Sequence, residues 1–466
     1  MLNRRGMLTA LVAAALGAGV GTAPATATVT TPGQGAKRRL PWRNWSGSQQ
    51  CLPAARVAPA SVAELQELIA GANGVVRAVG AGHSFMPLVP TDDTIVSLSR
   101  LSGVVNHDPR TLQATLWAGS RLGDIGEPLE ELGQALVNMP DIDEQALAGC
   151  LATATHGTGV DIGCMSTFIE GLQLVDARGQ LVDCDAQRNS QLFDAARVSL
   201  GALGIITQVR LQNVAPYRLR RETVWRDFDE ILDIADSEAD KHRNFEFYYI
   251  PFSGMGFTDS HDISTEPVSS TEKIDGNEGV RDLQLARDWL EWSPRLRELV
   301  LGSYMKTLGD EITVENSWKN YTSERNVRFN EMEYHLPREN GLQALREVRT
   351  ALETQHPEVF FPIEVRYVKA DDIWLSPFYQ RDCCSIAVHR YFEEDFKPYF
   401  RTIEPIFRKY NGRPHWGKLN TLTQQDFRKL YPRWDDFAAV RREMDPQGRF
   451  LNPYLASLFG AGRGKS

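Results

Sequence analysis

The sequence has few cysteines, no excess of positive charge and, beyond Val20, no long apolar run. Its 466 residues hold six cysteines, none of them in a CxxC pair, so a cysteine metal site is not expected. Adjacent Cys383 and Cys384 lie in an apolar, strand-like run, which favours buried thiols over a dense disulfide framework. The formal net charge of −9 argues against nucleic acid as the main partner. No later segment approaches the ~18 apolar residues of a bilayer span, so we expect no membrane span in the mature chain.

The first residues have the pattern of an export signal. Arg4 and Arg5 form a twin-arginine pair, and an apolar run and the small residues Ala25-Thr26-Ala27 follow them. We therefore predict a twin-arginine signal over residues 1–27 and export to the periplasm or the cell exterior. The alternative is an uncleaved membrane anchor, for which the apolar run is short. Removal of the two arginines changes the net charge from −9 to −11.

The remaining length is more than one hydrophobic core usually covers, so we expect two domains. Short strands between few helices in the first part predict an α+β unit rather than long alternating elements. Near Pro216 the composition shifts toward aromatic and charged residues. Residues 42–52 are expected to be irregular, and the polar stretch 260–280 is expected to be a loop. The predicted boundaries are a flexible mature N-terminus over 28–44, a first domain over 45–215, a second domain over 216–440, and a C-terminal return to the first domain over 441–466.

Two glycine-rich loops are the most informative feature of the chain. A predicted strand, Val75 to Val79, leads into Gly80-Ala81-Gly82-His83-Ser84-Phe85, and a second loop reads Thr153-Ala154-Thr155-His156-Gly157-Thr158-Gly159. Glycine has no Cβ, so its amide can come close to a ligand and its φ can be positive. The two loops, each with one histidine, predict a large cofactor held from two sides. A third glycine-bearing turn, Leu200 to Thr207, has an ordinary helix–strand connection as an equal alternative.

In the second half of the chain, several charged or titratable residues lie on predicted strands or in short motifs where they could contact a substrate. Because side chains alternate along a strand, Glu364 and Arg366 share a face, where they can hold each other and present a guanidinium fork to a polyhydroxylated substrate. The alternative is an ion pair on an exposed strand. His389 ends another predicted strand, where a structural histidine is the more common case. Lys418 lies close to His415 and, taken alone, also fits a solvated lysine.

Seven motifs occur in an order and spacing that match one known family. The chain resembles the FAD-dependent aldonolactone oxidases of the vanillyl-alcohol oxidase superfamily, which include gulonolactone, arabinonolactone and alditol oxidases. The resemblance covers nearly all of the predicted mature chain. It rests on these segments: Gly80–Ser84, Asp141–Gln145, Ala152–Gly159, Gly201–Thr207, Asn330–Tyr334, Glu364–Arg366 and His415–Lys418.

The resemblance implies an α+β fold in which an FAD-binding domain of two α+β subdomains is covered by a mixed α/β cap domain that holds the substrate. By position, His83 corresponds to the histidine that is bonded to the 8α-methyl group of the flavin. The second glycine loop is expected along the pyrophosphate and ribityl chain, and the turn at Ile205 at the adenine side. The implied FAD-binding residues are Val79, Gly80, Ala81, Gly82, His83, Ser84, Phe85, Gly149, Thr153, Thr155, His156, Gly157, Ile205 and His415.

The resemblance also implies oxidation of a CH–OH group in a sugar lactone or polyol. Arg366 and Lys418 are expected beside the reactive edge of the flavin, and Glu364 is expected to fix a substrate hydroxyl. His389 is the first choice for the base that takes the hydroxyl proton while hydride passes to flavin N5, and Lys418 is the second. A lactone product would tautomerise to an enediol.

The sequence leaves alternatives open for the electron acceptor and for the substrate. Molecular oxygen is the expected acceptor, since Pro140 stands where dehydrogenases of this family carry an alanine that blocks oxygen. A quinone or a cytochrome is the alternative. Alditols are doubtful substrates because Ala146 or Asp143, depending on the gap, replaces the serine of alditol oxidases. A non-catalytic sugar-binding protein is the third hypothesis, and an empty cofactor site would be its mark.

Overall fold

The computed structural model describes residues 39–269, 274–275, 277–324 and 326–460. The predicted signal, and the predicted mature N-terminus up to residue 38, lie outside the described residues. Within the described part, no helix is long and apolar enough to cross a membrane.

The strands, in chain order, are β1 (Trp42–Arg43), β2 (Gln50–Cys51), β3 (Ala55–Val57), β4 (Val76–Val79), β5 (Thr94–Ser97), β6 (Val104–Asp108), β7 (Gln113–Trp117), β8 (Ile169–Val175), β9 (Leu181–Cys184), β10 (Ile205–Gln212), β11 (Arg218–Asp227), β12 (Asn244–Tyr249), β13 (Met255–Ser264), β14 (Ile274–Asp275), β15 (Glu311–Asn316), β16 (Ser323–Glu324), β17 (Phe329–Pro337), β18 (Ile363–Val368), β19 (Cys383–Tyr391) and β20 (Arg413–Pro414). The α-helices are α1 (Val62–Gly71), α2 (Gly126–Glu131), α3 (Leu147–Ala152), α4 (Ser190–Ala196), α5 (Phe228–Lys241), α6 (Asn277–Leu290), α7 (Pro294–Met305), α8 (Ser317–Asn320), α9 (Arg338–Gln355), α10 (Lys397–Lys409), α11 (Gln424–Leu430), α12 (Trp434–Met444) and α13 (Pro453–Phe459), and short 3₁₀ helices cover Leu122–Asp124 and Met165–Phe168.

A parallel three-stranded sheet in the order β3-β5-β4 lies near the start of the described chain, and α1 connects β3 to β4. The sequence explains where α1 begins, because the Ser61 side chain accepts the Glu64 N–H at 3.2 Å. The Glu64 carboxylate in turn accepts the Ala60 N–H at 2.7 Å. Leu65 and Ile69 on the apolar side of α1 are buried. The first part of the described chain thus contains a parallel β-α-β unit, and β4 leads directly into the first glycine loop.

The second sheet is antiparallel and has the order β6-β7-β10-β8-β9. Along β10, Val209 and Leu211 are buried while Gln208, Arg210 and Gln212 are partly exposed, as the period of two in a half-buried strand requires. Together with its helices, this antiparallel architecture confirms the predicted α+β class.

The largest sheet has eight strands in the order β15-β11-β13-β12-β18-β19-β17-β20. One face is apolar: Ile363, Val365 and Tyr367 of β18 share a hydrophobic core with residues of α5, α9 and α10. Because side chains alternate, the residues between them, Glu364 and Arg366, lie on the opposite face. The helices thus cover one side of the sheet, and the other side carries charged residues.

Two predicted segments differ in the structure. Residues 42–52 are not irregular throughout, because β1 and β2 pair antiparallel, with Trp42 opposite Cys51. The polar stretch after Ser260 remains part of β13 up to Ser264, where a loop was expected. Both edges of β13 are hydrogen-bonded, to β11 and β12, and this pairing accommodates polar side chains inside the sheet.

The chain near the C-terminus contacts the first sheet. The Val76 N–H donates to the Arg449 carbonyl at 2.8 Å, and Asn452 donates to the carbonyl of Pro87 at 2.8 Å. Buried Arg77 of β4 makes a further connection, since its guanidinium donates to four backbone carbonyls, those of Leu88, Leu200, Gly201 and Phe450. The domain boundaries at 45–215, 216–440 and 441–466 stay predictions.

We predict that Arg77→Met lowers the free energy of unfolding by about 3 kcal/mol or more, because buried carbonyl oxygens lose their donor. Urea unfolding of the purified protein measures the change. Arg110→Met is the control, since the Arg110 side chain is 91% exposed, and it should change stability by less than ~0.5 kcal/mol. Equal stability of the two variants would contradict this role of Arg77.

Candidate active site

The first glycine loop is fixed by the short β1–β2 hairpin. The Trp45 N–H donates to the Gly82 carbonyl at 2.8 Å, and the Asn44 amide donates to the Ser84 carbonyl at 3.0 Å. Gly82 has φ +75°, which favours glycine, and a Cβ on Gly80 would lie 2.6 Å from the Cβ of Ala146. These contacts constrain the backbone conformation of the loop. The loop lies directly beside the start of α3.

The His83 imidazole lies against an aromatic ring and near two cations. Its ring stacks on Trp45, with centroids 5.1 Å apart and planes at 26°. Burial, and then the positive charges of Lys418 and Arg121, lower the pKa of His83 to about 4. At neutral pH the imidazole is therefore uncharged, and one ring nitrogen keeps a lone pair that can form a bond to carbon.

The second glycine loop leaves α3 and is also held by its own chain. The Thr153 hydroxyl donates to the Gly149 carbonyl at 3.1 Å, and the Thr155 hydroxyl donates to the Gln145 side chain at 3.1 Å. A Cβ on Gly157 would lie 2.4 Å from the Met139 carbonyl oxygen, whereas a Cβ on Gly149 would meet nothing within 4 Å. Gly157 is therefore required by packing inside the protein, and Gly149 faces open space.

Three histidines and a carboxylate form a buried cluster behind this loop. Nε2 of His156 lies 2.9 Å from Oε1 of Glu333, and its Nδ1 lies 2.8 Å from the Gly157 carbonyl. Burial alone would raise the pKa of the Glu333 carboxyl, but His156, His335 and His415 hold it well below its usual range. Burial lowers the pKa of His415 to about 3, so its ring is neutral and its Nδ1 accepts the N–H of Gly417 at 3.0 Å.

The charged face of the large sheet carries Glu364 and Arg366. The Arg366 guanidinium bridges two carboxylates, with Nε 2.6 Å from Oε2 of Glu246 and Nη2 2.6 Å from Oε1 of Glu364. The Tyr248 hydroxyl donates to both carboxylates, at 2.9 Å to Glu246 and at 2.6 Å to Glu364. Glu364 and Arg366 are each 9% exposed, which excludes the alternative of an ion pair on an exposed strand.

His389 and Lys418 meet at a second carboxylate on this face. Nδ1 of His389 lies 3.1 Å from the Pro362 carbonyl, so Nδ1 carries the proton of the neutral ring and donates it. Nε2 of His389 lies 3.7 Å from Oε1 of Glu331, and Lys418 forms an ion pair with Oε2 of the same residue. One carboxylate oxygen of Glu331, one carboxylate oxygen of Glu364 and one ring nitrogen of His389 all lie within 4.8 Å of one another.

The structure brings these groups together because the first glycine loop and the segment after β20 are hydrogen-bonded. The Phe85 N–H donates to the Gly417 carbonyl at 2.6 Å. The Lys418 ammonium lies 5.4 Å from the centroid of the Phe85 ring. The His83 loop, Lys418 and the charged face are thus parts of one site.

Ile205 is placed differently from the other predicted FAD-binding residues. It begins β10 opposite Val175 and belongs to a hydrophobic core that also includes residues near the C-terminus, such as Phe450 and Leu455. A Cβ on Gly204 would lie 2.7 Å from the Val175 carbonyl oxygen, so packing within the sheet requires this glycine. The expected contact of this turn with adenine stays a prediction.

The sequence reasoning missed several side chains of the site. Glu246 and Tyr248 lie opposite Arg366 and Glu364 on β12, but β12 and β18 are distant in sequence. The motif Asn330–Tyr334 marked the segment of Glu331 and Glu333 without a role for either carboxylate. Period-two alternation along each strand was the available signal, but it does not show which strands are neighbours.

Comparison with known proteins supports the resemblance that the motifs indicated. Residues 209–458 match the family D-arabinono-1,4-lactone oxidase, and residues 53–185 match an FAD binding domain. The L-gulono-1,4-lactone dehydrogenase of Mycobacterium tuberculosis is 39% identical over 431 residues, which cover 90% of this chain and 99% of that protein. The L-gulonolactone oxidase of Bos taurus is 32% identical over 433 residues, which cover 90% of this chain and 98% of that protein.

Solved structures agree at the level of the fold. A crystal structure of cholesterol oxidase from B. sterolicum matches with a TM-score of 0.78 and covers 93% of this chain and 100% of that chain. Its identity is 16%, so the likeness concerns the fold alone. The match over more than half of the sequence, with relatives 39% and 32% identical along nearly their whole length, shows that this chain belongs to the D-arabinono-1,4-lactone oxidase family and carries an FAD-binding domain.

Proposed function

We propose that this protein is an FAD-dependent oxidoreductase that oxidises a CH–OH group of a sugar-derived aldonolactone. The observation that carries the proposal is the joined site, in which the His83 loop is hydrogen-bonded to the segment of Lys418 beside the buried Glu364–Arg366 pair. The names of the two relatives given above support the lactone, since one is a lactone dehydrogenase and the other is a lactone oxidase. The loss of the alditol oxidase serine favours a lactone over an alditol.

The residues present fit FAD. Gly80, in the first glycine loop, and Gly149, in α3, are exposed and leave their backbones accessible to a flat or anionic group. The two glycine loops and His415 would hold the cofactor. His83 would lie on the side of the cofactor site that adjoins Lys418 and the charged face of the large sheet. When bound, FAD supplies the acceptor for two electrons and one hydrogen from the substrate C–H bond.

The charged face positions the substrate for this step. Glu364 accepts a hydrogen bond from a substrate hydroxyl, and the Arg366 guanidinium, held by Glu246 on its other side, donates to an adjacent oxygen. Nε2 of His389 takes the proton of the reacting hydroxyl. The Lys418 ammonium stabilises negative charge that develops near the substrate oxygen.

The Arg366 bridge yields a first kinetic prediction. Arg366→Lys keeps a positive charge but loses the two-sided contact with Glu246 and Glu364, so kcat should fall by about 10²-fold or more while FAD content stays the same. Turnover per bound FAD, with the absorbance ratio of flavin to protein, measures both quantities. Arg188→Lys, in a surface pair with Asp183, is the control. Loss of FAD at unchanged turnover per FAD would make Arg366 a structural residue.

A covalent 8α-histidyl bond through His83 is part of the proposal. Its support is the neutral imidazole, since the low pKa of His83 leaves a free ring nitrogen at every pH above about 4. A covalent link prevents loss of the cofactor and raises its reduction potential.

We therefore predict that acid-precipitated wild-type protein stays yellow, whereas His83→Ala releases all its flavin and turns over more slowly. Mass spectrometry of a tryptic digest identifies the flavin-bearing peptide. His107→Ala replaces an exposed histidine of β6 and should keep the bond. Flavin that stays bound in acid-treated His83→Ala would reject this assignment.

Oxygen is the proposed acceptor, with Pro140 as its support. A dehydrogenase that passes electrons to a quinone or a cytochrome is the second candidate, because the relative at 39% identity is named a dehydrogenase. With a panel of aldonolactones and alditols, we expect hydrogen peroxide in amounts equal to the oxidised lactone under air. Turnover with an artificial dye but no peroxide would favour the dehydrogenase.

A further inference from the structure

We propose that Glu331 is a positioning residue of the reaction: its carboxylate keeps Lys418 as an ion-paired cation and stabilises the imidazolium that forms when His389 takes the hydroxyl proton. The proposal rests on the proposed function and deepens it. It assigns His389, rather than Lys418, as the proton acceptor, a choice that the sequence left open.

The register of the sheet places Glu331 beside His389. Glu331 on β17 lies directly opposite His389 on β19, so both side chains extend from the same face. The Glu331 side chain is 4% exposed, and its two oxygens have separate neighbours: Oε1 lies 3.7 Å from Nε2 of His389, and Oε2 pairs with Lys418. A single carboxylate therefore contacts both of the candidate bases.

The orientation of His389 identifies the atom that can accept a proton. Nδ1 donates to the Pro362 carbonyl, and the Phe329 ring meets the imidazole edge to face at 4.9 Å. These contacts leave the lone pair on Nε2, on the side of Glu331. A distance of 3.7 Å is too long for a hydrogen bond, so in the neutral ring Nε2 stays free for the substrate hydroxyl.

Lys418 is held where it cannot easily serve as a free base. The Leu419 N–H donates to the Glu331 carbonyl at 2.9 Å, and the His415 N–H donates to the Glu333 carbonyl at 3.0 Å. The backbone of this segment thus follows β17, and its lysine reaches the Glu331 carboxylate. The Glu331 carboxylate thus engages the Lys418 ammonium as a hydrogen-bond donor.

Protons, electrons and charge then balance. The reacting hydroxyl loses its proton to Nε2 of His389, and the C–H hydrogen leaves with its two electrons to FAD. The charged groups that face the new imidazolium are Glu331 from β17, Glu364 and Arg366 from β18, and Lys418 from the segment after β20. Glu331 is the carboxylate that compensates His389, because its Oε1 lies 3.7 Å from Nε2 and only its Oε2 pairs with Lys418, whereas Oε1 of Glu364 pairs with Arg366.

Glu331→Gln tests this assignment, because glutamine keeps the shape and a hydrogen-bond acceptor for Lys418 but removes the charge. We expect kcat to fall by about 10²-fold with KM changed less than ~3-fold. The acidic limb of the kcat profile should move to lower pH by about one unit. Without the carboxylate, the imidazolium that forms in the reaction loses its counter-charge and faces the uncompensated charge of Lys418, and both changes disfavour a positive charge at this place.

Glu331→Asp keeps the charge, should recover part of kcat, and should leave the acidic limb in place. Glu347→Gln, which removes the surface ion pair with Lys409, is the matched control and should change neither quantity. A fall in kcat with an unmoved acidic limb, or a rise in KM alone, would reduce Glu331 to a structural role and overturn the proposal.

If Glu331→Gln does not fold, the same pH profile in Glu331→Asp decides, since a displaced limb there overturns the proposal. Wild-type protein that oxidises no lactone would overturn the proposed function itself, whereas active wild type with an unaffected Glu331→Gln would overturn this inference alone.

Discussion

The hydrogen bond from the Phe85 amide to the Gly417 carbonyl joins the two regions on which the site depends. It ties the first glycine loop, which begins at the end of a parallel strand, to the segment that follows the last strand of the large sheet. Both partners are backbone groups, so side-chain motion does not loosen the contact. His83 and Lys418 consequently lie near each other, and the lysine charge contributes to the low pKa of the histidine.

The large sheet carries many charged side chains in a mostly buried place. Isolated charges are costly to bury, but four carboxylates of the site have partners: Arg366 pairs with Glu246 and Glu364, Lys418 pairs with Glu331, and His156 pairs with Glu333. The opposite face packs against three helices, which keeps the strands in register. A rigid polar surface results, and its donors and acceptors do not need to reorganise when a polyhydroxylated molecule arrives.

Much of this arrangement could be predicted from local patterns. The glycine loops, the shared face of Glu364 and Arg366 and the α+β class all follow from residue types and spacing over a few positions. Glu246 and Tyr248 could not be assigned in this way, since only the pairing of β12 with β18 brings them to Arg366. Glu331 was visible within a motif, but its two neighbours come from β19 and from the segment after β20. The polar residues of β13 looked like a loop because their partners lie on other strands.

The sequence by itself determined which local structures form and which chemical groups are available, because backbone preferences and side-chain alternation act over short distances. It also determined the family, because the motifs and their order can be read from the sequence without the structure. Only the tertiary structure decided which carboxylate pairs with which cation, which glycines face open space and which are required by packing, and which nitrogen of His389 is free. Those choices depend on strand order and on contacts between residues far apart in the chain, and no local pattern specifies them.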